Sequence, residues 1–131
     1  MSLNPETLPG ELTHASLYAG TFTTNTSGTG ALITGYKGKL FAVLNAAAAA
    51  NDNQAATVVI ETSDELSANY AALSPAVEFA AIAANGAAQV QAIEIDTRTA
   101  KAYVRATLTR AAAGNGRVIS VTIGGKRLLT S

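Results

Sequence analysis

The sequence predicts an all-β protein: an antiparallel β-sandwich or small barrel of about seven strands, with an extended N-terminal arm. Three observations carry this expectation. Strand-forming segments recur along the chain, and two of them alternate apolar and polar residues with a period of two. Glycine- and asparagine-rich stretches separate the segments, and no long amphipathic helical pattern occurs. The length of 131 residues suits one domain, and 48% hydrophobic residues at zero formal net charge can support its core.

Residues 1–15 form the expected arm, and 16–131 the single domain. Pro5 and Pro9 oppose a regular helix, yet Leu3, Leu8, Leu12 and Leu17 recur at intervals that a plain linker would not need. Such an arm either folds back on its own domain or docks on a neighbour. LYAGTFTT then reads as a strand and NTSGTG as a turn. ALITGYKGKLFAVLN places strand formers on both sides of YKGK, with Leu40, Val43 and Leu44 as expected core. The alanine run that follows is too short for a stable helix before NDN stops it, so a loop with at most one helical turn is expected.

TVVIETS is a β-branched strand. Ser63 is placed as an N-cap for a short helical turn or a wide loop over SDELSANYAAL. SPAVEFAAIA is another strand candidate, with Val77, Phe79 and Ile82 inward, and Asn85–Gly86 signals a turn. QVQAIEID ends a strand at Asp96. AYVRATLTR puts Val104, Ala106 and Leu108 on one face, and RVISVTIGG does the same with Ile119, Val121 and Ile123. The glycines and asparagine between these two strands predict a hairpin.

Composition narrows the function. The chain has no cysteine, so it is no disulfide scaffold, and with one histidine it has no structural zinc set. No transmembrane helix, signal peptide or membrane partner is expected. Charge is polarised. Residues 1–96 hold nine acids and two bases, a sum of −7; residues 97–131 hold seven bases and no acid, a sum of +7. This could mean a basic surface for an acidic partner, or head-to-tail contact between identical subunits. The favoured reading is cross-strand pairing of the C-terminal strands with TVVIE or AIEID.

Catalytic chemistry finds little support. His14, the one histidine, lies in the arm, where a surface or interface role suits it better than a triad. Asp64 with Glu65, and Glu94 with Asp96, read as solvated carboxylates rather than an acid–base pair. Asn51, Asp52 and Asn53 lack the spacing of a calcium loop and read as a turn. The glycine pairs match no phosphate-binding frame. No enzyme activity, metal or cofactor is therefore expected. Arg98, Lys101, Arg105, Arg110 and Arg117 could contact nucleic acid, with Tyr103 and Arg105 stacking on bases, but zero net charge and few aromatics argue against it.

Residues 57–127 carry a recurring pattern: IETS at 60–63, Asp64 and Tyr70, IEID at 93–96, KAYVRATLT at 101–109, and ISVTIGGKR at 119–127. This succession resembles small virion proteins of tailed bacteriophages, and among them the capsid decoration, or cement, proteins. Glu65 stands where that pattern has a glycine. The resemblance implies a structural protein on the capsid surface, made in the host cytoplasm, with the major capsid protein as partner. It also implies a homo-oligomer, a trimer being favoured. Leu3, Leu8, Leu12, His14, Tyr103 and Arg105 are the candidate interface residues. Two other readings stand beside it: a tail or neck component of the virion, and a carbohydrate-binding or adhesion module.

Overall fold

The computed structural model describes residues 10–36, 39–49 and 51–128. Among them are nine strands and no helix. Seven are long: β1 (Gly10–Phe22), β4 (Lys39–Ala46), β5 (Thr57–Ser63), β6 (Ala71–Glu78), β7 (Gln89–Asp96), β8 (Tyr103–Thr109) and β9 (Arg117–Leu128). Two are short, β2 (Thr26–Ser27) and β3 (Ala31–Leu32).

All pairings are antiparallel. One sheet has the order β1-β9-β4-β7, and the other β2-β8-β5-β6 with β3 also on β8. β2 and β3 are two halves of one strand position beside β8. Between them Gly28 donates to the Ala106 carbonyl, and Thr29 turns away to the Leu17 carbonyl of β1. A side chain at Gly28 would put its Cβ 1.8 Å from that Leu17 oxygen, so only glycine fits. With β2 and β3 counted together, eight strand positions form two sheets in the double Greek-key order of a jelly roll.

The core lies between the sheets. In β4, Leu40, Ala42, Leu44 and Ala46 point inward, and in β8 Val104, Ala106 and Leu108 do. Ile119, Val121 and Ile123 of β9 complete it with Ile60 and Ile95. Small alanines set against large aliphatics let the two layers interdigitate. Val77, Phe79 and Ile82 are buried, as expected.

Several expectations need correction. Val43 is half-buried on the outer face, because strand parity, not apolarity, decides its side. β8 and β9 form no hairpin; they belong to different sheets, and residues 110–116 carry the chain across the sandwich. The AIEID strand, β7, pairs with β4 and with no C-terminal strand. Among the described residues a loop without a helical turn follows β4, and of the two forms expected after Ser63 the wide loop is the one observed. Ser63 instead closes a local turn, accepting from the Glu65 amide at 3.0 Å and donating to the Ala68 carbonyl at 2.5 Å. β1 begins at Gly10, so residues 10–15 of the expected arm run in a ladder with β9. A bulge at Leu17 then turns that side chain into the core.

Candidate interaction face

The outer face of the β1-β9-β4-β7 sheet sets exposed apolar side chains among small and neutral polar ones, with the ion pair Lys39–Glu94 at one end. Registered pairing arranges its side chains in rows across the four strands. One row is His14, Gly124, Phe41 and Glu94; the next is Ser16, Thr122, Val43 and Ala92. A third is Ala19, Ser120, Asn45 and Val90. Phe41 (46% exposed), Val90 (67%) and Val118 (56%) are three of the five exposed large hydrophobics among the described residues, and all lie here. Near Val90 and Val118 the face dips into a shallow groove of about 450 Å³, lined by Ala46, Ala47, Ala88 and Ser120. The charges gather at one end, where Lys39 meets Glu94 at 3.3 Å. Depletion of charge around exposed apolar side chains marks protein contact surfaces.

The opposite sheet presents a different face. Glu61 of β5 is bound by Arg105 (3.0 Å) and by the Thr107 hydroxyl (2.5 Å) of β8. Arg105 stacks over Tyr70, 4.2 Å from the ring centroid, rather than presenting itself beside Tyr103. Tyr70 donates to the Leu66 carbonyl at 2.8 Å and packs over Gly30; this burial pushes its phenol above the usual value. The loop over residues 64–70 thus engages Arg105.

The candidate interface residues do not converge. Leu3 and Leu8 lie outside the described residues. Leu12 pairs with Lys126 in the β1–β9 ladder, with its side chain outside the description. His14 is exposed on the outer face of the β1-β9-β4-β7 sheet. Tyr103 and Arg105 are half-buried on the other sheet.

Two arginines set one end of the sandwich. The Arg110 side chain is fully buried with Asp52 in a two-pronged ion pair, Nη1–Oδ1 3.0 Å and Nη2–Oδ2 2.8 Å. Its guanidinium also lies over Phe22 at 4.3 Å. Hydrogen bonds from Arg110 hold the Asp52 carboxyl below the usual carboxylate range, against the desolvation of burial; the Gln54 and Gly116 amides help. Gly114 passes so close that a Cβ there would lie 2.3 Å from Arg110 Nη1. Arg117, 2% exposed, donates to four carbonyls, of Ala47, Ala83, Gly86 and Ala87, at 2.7–3.0 Å. These two residues are therefore structural, which corrects their placement among nucleic-acid contacts. The other three bases of that set each meet an acid: Arg98 with Asp96, Lys101 with Asp64, Arg105 with Glu61. The Asn51–Asp52–Asn53 turn likewise holds an anchor that its sequence does not announce.

Among the described residues no group of three metal-ligating side chains converges, and no helix is long and apolar enough to cross a membrane. No protein-family model matches the sequence, and no curated protein matches it. Among solved structures, the chain superposes on one from a structure titled "Structure of infectious bursal disease virus Gx strain". The alignment has a TM-score of 0.46 and 9% identity, covering 98% of this chain and 36% of that one. The chain thus spans about a third of that neighbour's length.

Proposed function

We propose that this chain is a structural virion protein: a capsid decoration protein that works as a homo-oligomer bound to the major capsid protein on an assembled phage head. The observation that carries the reading is the outer face of the β1-β9-β4-β7 sheet, where Phe41, Val90 and Val118 are exposed. A rigid sandwich with such a face is suited to adhesion between proteins. The pattern over residues 57–127 points the same way. The role asks for no catalysis and no cofactor. A protein that binds only the assembled shell stabilises it by mass action. An oligomer adds avidity, because each copy raises the local concentration of the next.

The test is sedimentation of the purified chain with shells assembled from the major capsid protein of the encoding phage. The chain is expected to pellet with shells in a saturable, fixed ratio and to stay in solution with unassembled capsid subunits. A chain that stays in the supernatant at saturating shell concentration refutes the proposal.

A further inference from the structure

We propose that the outer face of the β1-β9-β4-β7 sheet packs against the same face of a second copy, about a two-fold axis parallel to the strands. Such an axis reverses every row, setting β1 over β7 and β9 over β4 of the other copy. The rows are complementary to their own reversal. In the first, Phe41 falls over Gly124, and His14 falls over the Glu94 carboxylate. In the second, Val43 falls over Thr122. In the third, Val90 falls over Ala19, and the Asn45 amide meets the Ser120 hydroxyl. Phe41 and Val90 each face a small residue, so the two layers can interdigitate as packed sheets do, about 10 Å apart and offset by about 30°. That offset keeps the central strands, β9 and β4, most closely in register.

The area is sufficient. Four strands about 4.8 Å apart, each contributing about eight residues of about 3.3 Å, give a projected face of roughly 500 Å² per copy, so a pair buries about 1,000 Å², the lower bound for a specific interface. The pair is a dimer, where the resemblance implies a trimer. The inference rests on the homo-oligomer of the proposed function and assigns this face to that contact, not to the shell.

The test is sedimentation velocity of the full chain up to about 1 mM, which detects association with a standard free energy as weak as about −4 kcal/mol. The wild type is expected to dimerise. Val43→Lys and Thr122→Glu are each expected to weaken association about tenfold or more, by burying a lone charge. An equimolar mixture of the two is expected to restore the dimer, because the introduced ammonium of one copy faces the introduced carboxylate of the other. Phe41→Ala, an exposed position, is expected to weaken association without lowering the melting temperature, which covers the case of a misfolded lysine variant. A wild type that stays monomeric overturns the inference. So do variants that still dimerise, or a mixture that stays monomeric. A monomer that nonetheless pellets with shells overturns this pairing and leaves the decoration role standing.

Discussion

Arg110 and Asp52 stand 58 residues apart and make a buried ion pair. Asp52→Ala leaves the guanidinium buried without its counter-charge, and is expected to cost about 3–5 kcal/mol in urea unfolding. The acid dependence follows in sign. The Asp52 pKa is lower in the fold than in the unfolded chain. Its contribution is therefore complete above the usual carboxylate value and is lost as pH falls through the depressed one. An acid-unfolding titration is expected to show this loss in the wild type and a shallower dependence in Asp52→Asn. Arg117→Met strands four carbonyl contacts and is expected to destabilise by about 2–4 kcal/mol; Arg117→Lys restores little, because an ammonium cannot reproduce the planar fork. Thermal melts of the two variants check this. Neither arginine was legible as a core residue. Arg110 and Arg117 read as part of a basic surface run, and their burial arises only where residues 47–49, 51–56, 83–87 and 110–117 meet at one end of the sandwich.

At the scale of elements, the bounds of three strands were the most legible. TVVIETS, QVQAIEID and AYVRATLTR have the boundaries of β5, β7 and β8 to within two residues. Their pairing was not legible. Sequence neighbours favour a hairpin between β8 and β9, but the jelly-roll order sends these two strands to opposite sheets, whereas consecutive β5 and β6 do pair. Val43 misled for another reason: LFAVLNA is apolar on both sides, so apolarity does not fix parity. Strand β6 was blurred by Pro75 and by the register shift that carries β5 from Val77 to Ala72. The arm makes an expectation specific. Residues 10–15 pair with β9, so deleting residues 1–15 strips an edge ladder as well as the leucines. Such a deletion is expected to lower the melting temperature and expose the β9 edge to aggregation, whereas deletion of residues 1–9 leaves the β1–β9 ladder whole. Differential scanning calorimetry of both variants tests this, and equal melting temperatures would contradict it.

For the whole molecule, the charge polarity of the chain is largely resolved inside the fold. Among the described residues, four of the five ion pairs join a base after residue 97 to an acid before it. The exposed Lys39–Glu94 pair is expected to contribute little: Lys39→Met should change stability by less than about 1 kcal/mol, a difference that urea titration resolves. Polarity in sequence therefore does not become polarity in space. What does differ is the two outer faces, one bearing the Glu61–Arg105–Tyr70 cluster and the other the exposed Phe41, Val90 and Val118. That contrast was invisible in the sequence, because Phe41, Val90 and Val118 lie on three separate strands that become neighbours only through the topology. The most direct measurement of the proposed role is the thermal disruption of assembled shells with and without the chain. If the chain decorates the shell, the disruption temperature rises with its concentration and then saturates. A disruption temperature unmoved at saturating chain would contradict a decoration role.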